Sequence, residues 1–247
     1  MAELYWLKRP IAHRGLHDAS RGVMENSLSA VKAAMGRGYA IEVDLQCAAG
    51  DMPVVFHDDT LDRLTGQSGP VAAHDAATLG RVRLKNSSDT ILSLSDLLAL
   101  VDGYVPLVFE VKNTGRRDRG FETNIAEQLT AYTGPAAVMS FDPNAVAAFR
   151  QESPSLPRGL IAGRFCSSED NKDLTGLQRF AMRHLLSATF AQPHFIAYDI
   201  EALPALAPLL AKFVFGLPLL AWTVRTDAER ERALRYADAM IFEGIKP

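Results

Sequence analysis

Eight short runs rich in Val, Ile, Leu, Phe and Ala, separated by segments with helical spacing, constrain this chain of 247 residues more than any other feature. Runs that are apolar throughout, rather than alternating with polar residues, are strands covered on both faces, the pattern of a parallel sheet with crossover helices. They are Pro10 to His13, Ala40 to Gln46, Pro106 to Val111, Ala136 to Ser140, Arg158 to Ala162, Phe195 to Tyr198, Pro218 to Val224 and Ala239 to Phe242. Helices are predicted over Ser27 to Arg37, Ser95 to Val101, Phe121 to Tyr132, Pro143 to Gln151, Leu174 to Ala188, Leu203 to Phe215 and Asp227 to Tyr236. Asn26, Ser93, Asp142, Asp173 and Thr226 offer capping oxygens at their starts. Eight such units predict an α/β chain folded as one (β/α)8 barrel domain over residues 1-247.

The alternation breaks once. Between about residues 47 and 90 lie a strand-like Pro53 to His57, a glycine-bearing turn at Thr65 to Pro70 and a polar loop, which together read as an insertion on the second unit. After Phe242 too little chain follows for an eighth outer helix.

Composition narrows the partners. With 26 basic against 29 acidic residues and a net charge of -3, the chain lacks the basic surplus of a nucleic-acid or anionic-membrane protein. Cys47 and Cys166 form no CxxC pair and have no accompanying His cluster, so they read as buried thiols rather than a disulfide or zinc framework. The first nine residues hold no apolar stretch of signal-peptide length, and Leu203 to Val224 is broken by Lys212, Gly216 and Pro218. The expectation is a cytoplasmic protein without a membrane span; the oligomeric state is open.

Chemistry concentrates where the strands end. Glu42 and Asp44, two apart in Ile-Glu-Val-Asp-Leu, fall on one face of their strand, while Ile41, Val43 and Leu45 take the other. Glu110 and Lys112 repeat the arrangement in Val-Phe-Glu-Val-Lys. Carboxylates side by side inside a barrel need a cation. Three of them without Cys or His at ligand spacing suit a hard divalent ion, Mg²⁺ or Ca²⁺, and buried salt bridging is the alternative. His13 and Arg14 end the first run, with Gly15 ready for a tight turn, and His57 closes the extra strand. Two imidazoles can divide acid and base duties near neutral pH, and an arginine fork suits a phosphate oxygen.

Taken in order, the motifs His13-Arg14-Gly15, Glu25-Asn26-Ser27, Glu42-Val43-Asp44-Leu45, Pro53 to Asp58, Leu61-Asp62-Arg63, Thr65-Gly66, Glu110-Val111-Lys112, Ser140-Phe141-Asp142 and Trp222-Thr223-Val224 resemble those of the glycerophosphodiester phosphodiesterase family. The resemblance implies a barrel with a small insertion after its second strand. It makes Glu42, Asp44 and Glu110 ligands of one divalent cation, His13 and His57 the general acid and base, Arg14 and Lys112 phosphate contacts, and Trp222 an apolar wall beside the substrate. The implied reaction is hydrolysis of a small glycerophosphodiester to an alcohol and glycerol phosphate. A lysophospholipase D on the same scaffold and a non-catalytic binding barrel are the alternatives. The chain departs from the family pattern at Gly50-Asp51, which is reversed, at Arg225 after Trp-Thr-Val, and at Glu243, where Asp is usual. Arg116, Arg117 and Arg119 stand after the third run, where they could draw in an anionic substrate or simply belong to a solvated loop, and Arg164 and Arg225 further on are candidates for reading the group attached to the phosphate.

Overall fold

The structure, a computed structural model, describes residues 4, 8–115, 118–164 and 175–247. In chain order its strands are β1 (Ile11–Ala12), β2 (Ala40–Ala48), β3 (Met52–Val55), β4 (Leu92–Ser93), β5 (Leu107–Val111), β6 (Ala136–Ser140), β7 (Arg158–Ala162), β8 (Phe195–Asp199), β9 (Leu219–Val224) and β10 (Ala239–Phe242). All but β3 and β4 are parallel neighbours in the order β1-β10-β9-β8-β7-β6-β5-β2, and β1 also pairs with β2, so the sheet closes on itself. These eight strands coincide with the eight apolar runs, and the fold is the α/β barrel that they imply.

Around them lie α1 (Leu28–Met35), α2 (Ala76–Leu79), α3 (Leu94–Val101), α4 (Gly120–Ala131), α5 (Pro143–Glu152), α6 (Gly176–Arg183), α7 (Ala188–Ala191), α8 (Leu206–Phe213) and α9 (Asp227–Tyr236). Among the described residues no helix follows β10. Among the described residues no helix is long and apolar enough to cross a membrane.

Strand alternation splits the apolar residues into two layers. Ile11, Ala40, Val108, Ala137, Ile161, Phe195, Leu220 and Ile241 pack together as one cluster. Their neighbours Ala12, Ile41, Phe109, Val138, Leu160, Ile196, Leu219 and Phe242 belong to another, shared with Val31, Leu97, Ile125 and Phe149 of the surrounding helices. The first layer therefore fills the barrel and the second glues the helices to it. Continuing the alternation of the inner layer toward the strand C-termini brings Glu42 and Asp44 on β2 and Glu110 on β5 inward, where apolar residues would otherwise sit.

Three local expectations change. Ser27, not Asn26, caps α1, through a bond from Ala30 N–H to its hydroxyl, because the Asn26 side chain is engaged on β2. The extra strand stops at Val55, so His57 stands just beyond β3 rather than closing it. The segment between β3 and β4, whose last part is expected as a polar loop, has a core of its own that includes Leu61, Leu64, Val71, Leu79, Val82, Leu84 and Ile91, and is joined to the sheet through β4, an element that two residues are too few to announce in sequence. Cys47 is buried on β2, whereas Cys166, Asp173, Arg116 and Arg117 lie outside the described residues. Of the helix expected from Leu174, the described part begins at Gly176, capped by Thr175, and ends at Arg183.

Candidate active site

β2 and β5 are paired in register with Asp44 opposite Glu110, and period-two alternation sets Glu42 on the same face. All three carboxylates are buried, and oxygens from each lie within 4.8 Å of one another. Two cationic side chains reach this group. Lys112 Nζ lies 2.8 Å from Asp44 Oδ1 and also donates to Glu110 Oε1. Arg14 Nε lies 3.3 Å from Asp44 Oδ2, and Nη1 donates to Glu25 at 2.7 Å. Asn26 completes the Asp44 environment, donating to Oδ2 at 2.7 Å and accepting from the Asp44 backbone N–H at 3.1 Å.

The electrostatics separate the two neighbours on β2. Burial alone would raise the Asp44 pKa, but Lys112 and Arg14 hold it far below the ordinary carboxylate range. In return, Asp44 carries Lys112 and Arg14 above their ordinary values against the desolvation that opposes it. Glu42 is pushed well above the ordinary range, first by burial and then by Asp44 and Glu110. Its Oε2 accepts from the Arg14 backbone N–H at 2.9 Å, and its buried Oε1 has no hydrogen-bond partner. A buried carboxylate oxygen of this kind, beside two further carboxylates, fits a hard divalent cation, which would relieve the repulsion and bring Glu42 back to its ionised form.

The backbone that delivers Arg14 is unusual. Arg14 has φ 53° and Gly15 φ 78°, both left-handed. A Cβ on Gly15 would come within 2.8 Å of the Ala30 side chain and 2.9 Å of its backbone carbon, so only glycine lets the exit turn from β1 press against α1. The strained Arg14 conformation is held by Gly15 N–H on Glu42 O at 3.1 Å and by Asn26 N–H on Arg14 O at 2.9 Å.

Both histidines are anchored at Nδ1 by a carboxylate. His13 donates to Glu243 Oε2 at 2.9 Å, and Nε2 points toward Glu42 Oε2, 3.9 Å away. Glu243 also receives Arg225 Nη2 at 2.9 Å. His57 donates to Asp58 Oδ1 at 2.7 Å, and Arg63 clamps Asp58 with Nε at 2.6 Å and Nη2 at 2.7 Å while reaching Glu25 at 2.8 Å. An ionised carboxylate only accepts, so the ring proton sits on Nδ1 in both cases and Nε2 is left for chemistry. The bond from His13 brings Glu243 down to about 2, and the Asp58 pKa falls for the same reason, with His57 and Arg63 overcoming its burial. Burial lowers the His13 pKa more than Glu243 raises it.

These groups border a cavity of about 1000 Å³ whose lining includes Arg14, His57, Glu110, Lys112, Phe141 and Met182. Trp222 stands behind that lining, edge-to-face on Phe141 with ring centres 5.4 Å apart. Every residue singled out in the sequence as catalytic, phosphate-binding or metal-ligating thus belongs to one neighbourhood. Of the outlying arginines, Arg225 is tied to Glu243 and Arg119 donates to Gln151, so neither hangs free at the mouth. Sequence reasoning picks out Glu25, Asn26, Asp58, Arg63 and Glu243 in motifs, as a cap or as a departure, but does not assign their role as the supporting layer of the site. Asp58 was signalled by adjacency to His57, but nothing local could signal Glu243.

The sequence from 13 to 244 matches the profile of the glycerophosphoryl diester phosphodiesterase family. The chain belongs to this family. Membership makes it an enzyme that hydrolyses glycerophosphodiesters, and the family depends on a divalent metal, for which Glu42, Asp44 and Glu110 are a fitting site. This phosphodiesterase is 26% identical over 252 residues to glycerophosphodiester phosphodiesterase 1 of Bos taurus, covering 89% of the chain and 72% of the bovine protein. It is 28% identical to the Mus musculus protein of the same name over 61% of the chain and 47% of the mouse protein. In fold it resembles a phosphodiesterase of Oleispira antarctica solved with its product sn-glycerol-3-phosphate, with TM-score 0.80, 19% identity and coverage of 98% of this chain and 95% of that one.

Proposed function

We propose that Glu42, Asp44 and Glu110 hold one divalent cation, Mg²⁺ or Ca²⁺, at the barrel mouth, and that His13 and His57 act as the acid and base in cleavage of a glycerophosphodiester into an alcohol and glycerol phosphate. When bound, the cation supplies Lewis-acid polarisation of a phosphoryl oxygen. The protein's own groups do the rest. Arg14 and Lys112, already turned toward Asp44, balance the charge that builds on the non-bridging oxygens. One histidine withdraws a proton from the attacking oxygen through Nε2, and the other returns a proton to the leaving alkoxide. Their Nδ1–carboxylate bonds fix each ring so that Nε2 needs no reorientation during turnover. Phe141, backed by Trp222, presents the apolar wall for the glycerol carbons or the far substituent.

The observation that carries this reading is the conjunction of Glu42 Oε1, a buried oxygen without a partner, with two Nδ1-anchored histidines at the same barrel end. Chelation followed by add-back tests it. Activity on glycerophosphocholine and glycerophosphoethanolamine is expected to vanish on complete chelation and to return with Mg²⁺ or Ca²⁺, which ranks the two ions as activators. Turnover that survives complete chelation removes the metal assignment. Lysolipids and bis(p-nitrophenyl) phosphate in the same screen identify the leaving group.

A further inference from the structure

Just past the turn at Gly15 stands an imidazole that the proposed reaction does not use. His17 Nε2 lies 3.9 Å from Glu243 Oε1 and is buried without a hydrogen-bond partner. Glu243 thus turns its two oxygens to different rings, Oε2 to His13 Nδ1 at 2.9 Å and Oε1 to His17. The side chains of His13, His17 and Glu243 are 13%, 17% and 28% exposed, and one ligand atom from each lies within 4.8 Å of the other two. Among the described residues just two groups gather three potential ligands in this way, and the other is the carboxylate trio. The closing seam makes the meeting possible: β1 pairs with β10, and His13 N–H donates to Phe242 O at 3.0 Å, so the residues that follow both strands share one end of the barrel. Glu243 also stands where the family usually has Asp, and its extra methylene gives the carboxylate the reach to meet both rings.

The donor chemistry separates the two groups. Three carboxylates suit Mg²⁺ or Ca²⁺, whereas two imidazoles and one carboxylate, with a fourth position open to water, are a donor set for Zn²⁺. A buried ring nitrogen without a partner is a ready ligand, and a metal ion gives it the partner that the protein does not. We propose that His13 Nδ1, the ring nitrogen facing Glu243, together with His17 Nε2 and the Glu243 carboxylate, holds a Zn²⁺ ion beside the carboxylate trio, and that zinc bound there stops turnover. The inhibition, unlike the site, rests on the role given to His13 above. When the Zn–Nδ1 bond forms, the Nδ1–H bond breaks and an N–H bond forms at Nε2, so the ring stays neutral with its proton moved to the other nitrogen. Nε2 then has no lone pair with which to accept a proton, and it gives up the one it holds only by becoming an anion. Zinc therefore withdraws His13 from proton transfer and takes its anchor at the same time.

Calorimetry and turnover of glycerophosphocholine, both on the full chain with excess Mg²⁺ keeping the carboxylate trio occupied, test the site with Zn²⁺ as the titrant. One zinc per chain is expected to bind, with turnover falling along the same curve. His17→Phe, which keeps a flat ring without a ligand atom, is expected to retain basal turnover in the absence of zinc and to weaken both zinc binding and inhibition at least ~100-fold, the upper end of what losing an outer partner of a metal site costs. His17→Ala is the second variant, should thermal melts show His17→Phe misfolded. A wild type that neither binds zinc nor loses activity, zinc binding indifferent to both substitutions, or inhibition that further Mg²⁺ reverses, which places the zinc on the trio, each overturns the proposal. Zinc that binds through His17 while turnover is undiminished upholds the site and removes instead the role given to His13.

Discussion

His13 and His57 are held alike by parts of the chain that come together in different ways. Each donates Nδ1 to a carboxylate that an arginine clamps in turn. For His57 the carboxylate is the next residue and the arginine lies five further on from it, so the arm is complete within one insertion. For His13 the carboxylate is Glu243, 230 residues away, and the two meet only because β1 pairs with β10. One arm is a product of local chain geometry, the other of barrel closure. The same hydrogen-bond chemistry is thereby exposed to different failures: the His57 arm to loss of the insertion's own core, the His13 arm to loss of the closing seam.

The widest break in this comparison comes from removing the rings. His13→Ala and His57→Ala are each expected to lower kcat by about 10²–10⁴ while leaving Mg²⁺ or Ca²⁺ binding by calorimetry intact. Equal activity of both variants with wild type would end the assignment of acid and base. Next come the anchors. Glu243→Gln and Asp58→Asn each free a ring that remains present, for an expected loss of about 10- to 100-fold in kcat with little change in KM. Asp58→Asn should also lower thermal stability more than Glu243→Gln does, because Asp58 holds two Arg63 nitrogens as well as His57.

The clamps sharpen the contrast further. Arg63 bridges Asp58 and Glu25 and so reaches back to Arg14, whereas Arg225 is more than half exposed and its side chain touches Glu243. Arg63→Ala is expected to cost about 1–2 kcal/mol, a fall of roughly 2–8 °C in Tm, and Arg225→Ala less than about 0.5 kcal/mol. The smallest effect is on acid stability. The His13 bond brings Glu243 from an ordinary 4.5 to about 2, so its contribution is complete above 4.5 and is lost as pH falls toward 2. Urea melts should show wild type and Glu243→Gln converging across that window, and a constant difference between them would remove the bond from solution.

The parts of the site that were readable follow the same division. Glu42, Asp44, Glu110 and Lys112 could be placed on common faces because strand periodicity is a local rule. Their neutralisation could not, since Arg14 reaches Asp44 only through the turn at Gly15 that abuts α1. Asn26 shows the limit of local rules most plainly. Its position predicts a cap, yet the fold sets it beside Asp44 and hands the cap to Ser27. Arg225 likewise reads as a substrate contact until the pairing of β9 with β10 brings it to Glu243.

By itself the sequence determined the eight strands, the helices between most of them, the insertion and the candidate site side chains, because apolar periodicity and short motifs are properties of neighbouring residues. Tertiary structure alone decided which carboxylate anchors His13, which charges Asp44 shares, why Glu42 differs from its neighbour on the same strand, and that His17 faces the same carboxylate as His13. Those outcomes depend on distances between residues far apart in the chain, and in a buried, weakly screened site such distances set charge states as well as contacts.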